Sequence, residues 1–440
     1  MIKLTMFRGI LLFLGVSLFL GCGKDSAGNF EEDPEANDET REETEPEKIT
    51  VDENKTFVHP GLLHTGEDLD RVKDRVDAGE EPWISGWNKL TANSHSSSGY
   101  TPAPVEKLIR GGNSREEPEP DNYSRAFNDA AAAYQNALRW KISGDVAHAE
   151  TAINILNAWA ATCKELSGDS NVALAAGIYG YEFANAAELM RDYEGWVQED
   201  FEAFKQWMLD VFYPVSHAFL ETHWGTCKSH YWANWDLANL ANVMAIGVLC
   251  DRADLYKYGM DYLMEGEGNG NIHNAINFIH PKSANDDTDL GQLQESGRDQ
   301  GHTLLCVGLL GIICQSAYNQ GEDLYAYDDN RILKAAEYAA KYNFANLDVP
   351  FEEYTRNYKD PWSVCGGVEV HTEVNASGKG GKRPIWELLY HHYVVKEGIP
   401  ARYTTMAAQV HRVEGGGGDY GPNSGGYDQL GFGTLLYSRE

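Results

Sequence analysis

The chain has 440 residues, 42% of them hydrophobic, and a net charge of −31. That is enough apolar material for one large domain or two ordinary ones, and the negative charge argues against nucleic acid as a partner. It leaves room for an anionic polymer at a locally basic site, and 11 Trp and 24 Tyr offer faces on which sugars stack, although aromatics are also ordinary core material.

The N-terminus reads MIKLTMFRGILLFLGVSLFLGC. A basic start (Lys3, Arg8), an apolar run and a terminal Gly21-Cys22 describe an export signal over residues 1–21 rather than a membrane span. Cysteine at the cleavage point resembles a bacterial lipobox, with Phe19 where leucine is more usual. The expectation is therefore an exported lipoprotein with Cys22 lipidated, anchored to a bacterial membrane on its periplasmic side or at the cell surface. Residues 23–55 carry thirteen acids against four bases. Such a stretch cannot bury enough apolar area to order itself, so residues 22–55 read as an acidic tether and 56–440 as the domain.

Thr65 and Asp68 look like a capping box opening a helix on Leu69 and Val72. Residues 95–122 form a long polar loop of the kind that often serves as a lid. From there helical patterns dominate: 124–145, 146–166, 173–193, 199–212, 232–249, 253–264, 303–318, 330–342 and 386–395. Strand patterns are scarce and no fixed-period repeat is evident. These features predict an all-α chain, a closed ring of helical hairpins. Cys163, Cys250, Cys306 and Cys314 fall in apolar helical patterns, no CxxC suggests zinc, and at most one disulfide is expected.

Two polar clusters run into apolar helices. In GQLQESGRDQGHTLLCVGLLGIICQ, Glu295, Arg298, Asp299 and His302 share one face if the helix reaches back that far. In HWGTCKSHYWANWDLANLANVMAIGVLC, His230 and Asn234 share a face beside Tyr231, Trp235 and Asp236. Each reads as a capped helix end or as the wall of a cleft. Tyr354, Arg356 and Tyr358 are placed in one loop, and His371, Lys379, Lys382 and Arg383 in another. Tyr179, Tyr181, Asn185 and Glu188 stripe the 173–193 helix, a pattern that more often means packing.

The strings LAAGIYGYEFANAAELMRDYEGW, HYWANWDLANLANVMAIGVLCDR, EGEGNGNIHNAI and KRPIWELLYHHYV, with the 291–315 block, resemble the alginate lyase superfamily from about residue 60 onward. Within it the chain is similar to the alginate and glucuronan lyases of polysaccharide lyase family 38. The resemblance implies an (α/α) toroid in a single large domain and cleavage of a polyuronate, alginate first, by β-elimination. That chemistry must neutralise the C5 carboxylate, remove the C5 proton and protonate the departing O4. Arg298 is expected to hold the carboxylate, helped by Asn234 and Gln300. His302 and His230 are the candidate bases, and Tyr358, Tyr354 or Tyr231 the candidate acid. Tyr231, Trp235, Gln300, Tyr354, Arg356, His371 and Tyr181 are expected to bind substrate, and no metal or other cofactor is called for. Two positions depart from the resemblance: Ser229-His230 stands before Tyr231-Trp232 where an Asn-His pair sits one step earlier, and Leu305 stands seven residues after Arg298 where a tyrosine is usual. The rivals are a glucuronan or other uronate lyase, a non-catalytic glycan-binding lipoprotein, and a glycoside hydrolase. The last needs carboxylates flanking a bond, which Glu295 and Asp299 on one helix face would not do.

Overall fold

The structure, a computed structural model, describes residues 46–416, 418–420 and 428–439. The signal segment, Cys22 and the tether up to residue 45 lie outside the described residues. From Pro46 onward the chain forms one compact unit. It begins earlier than the expected residue 56, because Val51 is already buried in the core and Ile49 packs against it.

In chain order the elements are α1 (Gly66–Asp77), α2 (Trp83–Thr91), β1 (Lys107–Arg110), α3 (Ser124–Ser143), α4 (Val146–Thr162), β2 (Glu165–Gly168) and α5 (Val172–Met190). There follow α6 (Gln198–Trp207), α7 (Tyr213–Thr222), α8 (Ala233–Leu249), α9 (Ala253–Glu265), α10 (Ile272–Ala275), β3 (Ile276–His280), β4 (Leu290–Leu293), α11 (Gln300–Asn319) and α12 (Tyr327–Asn343). The chain closes with β5 (Tyr354–Tyr358), β6 (Gly367–His371), α13 (Trp386–Tyr390), α14 (Arg402–His411) and α15 (Gly433–Tyr437).

Local chemistry sets the boundaries. Thr65 and Asp68 form the expected reciprocal capping box on α1. Gly144, at φ +74°, stops α3, and the Asp145 side chain at once caps α4 through Ala147 N–H at 3.0 Å. The helices pack in sequence: α3 on α4 and α5, α5 on α8, α8 on α9 and α11, α11 on α12, and α12 on α14. Helix α14 meets α13, α13 meets α15, and α15 returns to α1 and α2 while α1 packs on α3, so the ring closes as an (α/α) toroid. Helices α5 and α8 approach closely because small residues face each other: a Cβ on Gly177 would stand 2.7 Å from the Ala238 carbonyl carbon. Helix α11 is apolar and long enough to cross a membrane, but 83% of that stretch is buried by neighbouring helices, so it serves as a core stave.

Three small ladders interrupt the all-α expectation among the described residues: β1–β2 parallel, β3–β4 and β5–β6 antiparallel. The first removes part of the 95–122 segment from its expected loop. The third corrects the expectation that Tyr354, Arg356, Tyr358 and His371 sit in loops. Tyr354 pairs with His371, Arg356 with Glu369 and Tyr358 with Gly367. Strand alternation therefore turns Tyr354, Arg356 and Tyr358 inward and leaves Thr355 and Asn357 exposed. One disulfide, Cys227–Cys365, joins this hairpin to the segment entering α8, while Cys163, Cys250, Cys306 and Cys314 are free.

Candidate active site

Two helix N-termini meet one turn. Helix α11 starts at Gln300, not at Glu295: Asp299 is its N-cap with extended backbone (φ −172°), and residues 294–297 form a 3-10 turn. Glu295, Arg298, Asp299 and His302 are thus not a helical stripe, which corrects the expectation drawn from their spacing. The turn gathers them instead. The Asp299 carboxylate accepts the backbone N–H of His302 at 2.8 Å and engages its Nδ1 at 2.7 Å. Burial pushes the Asp299 pKa up, but the bonds from His302 win and hold it below the ordinary carboxylate value.

Glu295 is fully buried and does more than orient Arg298. It accepts the backbone N–H of Asn234, in the first turn of α8, at 3.1 Å and Arg298 Nη1 at 3.1 Å. Gln294 accepts Ala233 N–H beside it. A carboxylate on the free N–H groups of a helix start is a favourable pairing. Burial still raises the Glu295 pKa, against the opposing pull of Arg298 and His302. The N-termini of α8 and α11 both point into this region, and the Glu295 and Asp299 carboxylates occupy them.

Trp232, the N-cap of α8, is the hinge of the site. The guanidinium of Arg298 lies 5.1 Å from its ring centroid and that of Arg356 4.3 Å, and His371 meets its edge at 5.2 Å. Arg356 is held by Glu369 (2.7 Å from Nη2) and by the His230 carbonyl, and it overlies Tyr358 at 5.3 Å. Trp232 is not among the residues that the sequence marks as candidates for the site. Its place between Tyr231 and Asn234 at a helix start was visible, but nothing in one dimension showed two arginines converging on it.

The histidines differ in what they present. His302 is partly exposed with Nδ1 engaged by Asp299, so its Nε2 is the free atom. His230 accepts the Lys359 backbone N–H on Nδ1 at 2.9 Å, which leaves the proton on Nε2; burial first, then Arg356, lowers its pKa. His371 donates Nδ1–H to the Gly297 carbonyl, and its buried Nε2 faces Glu369 at 3.6 Å.

Arg298, His302, Asn234, His230, Tyr231, Arg356, Tyr358, Tyr354 and His371 are thus brought together around the α8 and α11 N-termini. Tyr354 is stacked on His371 with its hydroxyl spent on the Gln294 carbonyl, and burial raises its pKa. Tyr231 and Trp235 pack together on Phe219. Two residues are occupied elsewhere. Gln300 is buried, and its amide ties Ser296, Asn375 and Asn343 together. Tyr181 is fully buried and donates to the Asp428 carbonyl. Among the described residues no cluster of three or more His, Cys, Asp or Glu is arranged to hold a metal.

A helical toroid that gathers Arg, His and Tyr side chains where two helix N-termini meet is the frame of a polysaccharide lyase. Residues 91–348 match the family model described as Alginate lyase, and the chain belongs to that family. An alginate lyase from Bacteroides ovatus shares the fold at a TM-score of 0.55 with 14% identity, covering 87% of this chain and 100% of that one. Alginate lyase A1-III from Sphingomonas species A1 superposes at 0.54 with 15% identity, over 86% of this chain and 98% of that one. A variant of A1-III complexed with a tetrasaccharide gives 0.54 at 16% identity, over 86% and 97%. No curated protein matches the sequence.

Proposed function

We propose that this chain cleaves a polyuronate, alginate being the first candidate, by β-elimination where the α8 and α11 N-termini meet. The observation that carries the reading is Arg298. It is partly exposed, fixed by buried Glu295 and stacked on Trp232, beside a His302 whose Nδ1 is held by Asp299. A guanidinium so held suits a carboxylate, and a variant of the A1-III neighbour is complexed with a tetrasaccharide. In this reading Arg298, with Asn234 beside it, neutralises the C5 carboxylate. His302 Nε2 takes the C5 proton, electrons move into the C4–C5 bond, and the C4–O4 bond breaks. O4 leaves with a proton from His230 Nε2–H or the Tyr358 hydroxyl, giving a 4,5-unsaturated uronate end. His371 positions Tyr354 and the hairpin, since its Nε2 is covered.

The test is ultraviolet absorbance of the unsaturated product from polymannuronate, polyguluronate and glucuronan in turn. One polymer is expected to give a rising signal, reduced about 10²–10³-fold in Arg298→Ala. Binding of a polymer with no absorbance change from wild type would replace this reading with that of a glycan-binding protein, and a signal from glucuronan alone would replace alginate as the substrate.

A further inference from the structure

Trp362 is the most exposed large apolar side chain described, at 89%. The backbone beneath it is fixed: the Asp360 carboxylate accepts Trp362 N–H at 2.8 Å and Ser363 N–H at 2.7 Å, and Asp360 N–H donates back to the Ser363 carbonyl at 3.0 Å. Three residues further on, Cys365 is bonded to Cys227, and Cys227 N–H donates to the Val364 carbonyl at 3.1 Å. Three residues before Cys227 stands Trp224, 46% exposed and in the left-handed region at φ +56°. One disulfide thus carries two outward tryptophans at matching offsets. Lys359 lies on the same turn, its backbone bonded to His230 and its ammonium without a carboxylate partner among the described residues.

We propose that Trp362 and Trp224 form an aromatic rim that stacks on sugar rings of the polyuronate outside the reaction centre, with Lys359 facing that polymer's carboxylates. This rests on the reading under Proposed function. Continuity favours a polysaccharide as the occupant. Arg298 and Arg356 share the Trp232 ring at 5.1 and 4.3 Å, Arg356 overlies Tyr358 at 5.3 Å, and the next residue, Lys359, opens the 359–363 turn. The turn that carries Trp362 is therefore continuous with the contacts that hold Arg298, the residue proposed to meet the polymer. The exposed Val368 and Val370 lie opposite Asn357 and Thr355 on the outward face of the hairpin and are not part of this path. A ring left in water forfeits its burial energy unless a ligand covers it, and a flat aromatic beside a cation suits an anionic sugar.

The test compares Trp362→Ala and Trp362→Phe with the full-length protein. Trp362 covers nothing in the fold, so neither change threatens folding. Affinity electrophoresis through gels holding each polyuronate is run in the Arg298→Ala background, so that polymer is not consumed, and KM is measured for polymer and for tetrasaccharide in the active background. Trp362→Ala is expected to weaken retardation and raise the polymer KM about three- to tenfold. The tetrasaccharide KM holds, and Trp362→Phe keeps most of the affinity. Trp224→Ala moves in the same direction. Unchanged retardation and polymer KM in Trp362→Ala overturn the rim. So does loss of binding to anionic lipid vesicles with polymer binding intact, which would assign the turn to a membrane surface. Wild type that yields no unsaturated product yet is retarded, with retardation weakened by Trp362→Ala, removes the lyase reading and leaves the rim. Wild type that cleaves, with Trp362→Ala equal to it, removes the rim alone.

Discussion

Asp299 performs two tasks with one carboxylate, and they can be separated. It caps α11 through the His302 backbone and it holds the His302 ring. Asparagine is as good a cap as aspartate but carries no charge. Asp299→Asn is therefore expected to keep Tm within about one degree while kcat falls and KM stays near wild type. His302→Ala removes the proposed base and is expected to lower kcat about 10²–10⁴-fold. A fall in Tm for Asp299→Asn with kcat intact would show that the carboxylate serves the helix and not the reaction. That Arg298, Asp299 and His302 stand together was legible because four ionisable groups beside an oily helix demand an explanation. Their geometry was not, since it depends on a helix that starts five residues later than the spacing suggests.

At the scale of elements, the β5–β6 hairpin is the part least visible in the sequence. Within FEEYTRNYKDPW the stretch Tyr354–Tyr358 alternates half-buried and exposed residues, but the strand is short, polar and paired with only one partner, so its pattern does not rise above that of a loop. The long helices were legible because each buries a wide apolar face, and α11 nearly all of its surface. The hairpin owes its place to tertiary ties: Cys227–Cys365, Ser229 Oγ to the Asn357 carbonyl at 3.0 Å, and Arg356 to the His230 carbonyl. Breaking the disulfide should loosen Arg356 and Tyr358 together. Cys227→Ser with Cys365→Ser is expected to raise KM for polymer and for tetrasaccharide alike, unlike Trp362→Ala, and to lower Tm, since the bridge closes a loop of 138 residues. Unchanged kinetics on the short substrate would show that hydrogen bonds alone seat the hairpin.

At the scale of the whole molecule, the ring is closed by its C-terminal elements, and the seam is ionic. Glu387 on α13 binds Arg412 at 2.6 Å through each of its oxygens, His391 at 3.0 Å and Thr434 on α15 at 3.0 Å. Those partners outweigh burial and hold its pKa at about 2. Glu414 is buried beside it, accepting the backbone N–H groups of Trp386 and Glu387, and burial together with the Glu387 charge lifts its pKa to about 8. The two carboxyls pull stability in opposite directions. Glu387, depressed below its ordinary value, contributes stability above about pH 4.5 that is lost as pH falls toward 2. Glu414 is raised, so the folded chain keeps a proton that the unfolded chain releases. Its effect is most favourable below about pH 4.5 and declines as pH rises toward 8. Glutamine can accept the same two N–H groups without ever ionising. Glu414→Gln is therefore expected to raise Tm by a few degrees at pH 8–9 and to match wild type near pH 5, with both proteins losing stability together below pH 4 as Glu387 protonates. Thermal unfolding at these pH values checks it. Equal Tm at pH 9 would mean that Glu414 ionises in the folded ring at no cost, and that the seam between α13 and α15 is held by packing rather than by its protonation state.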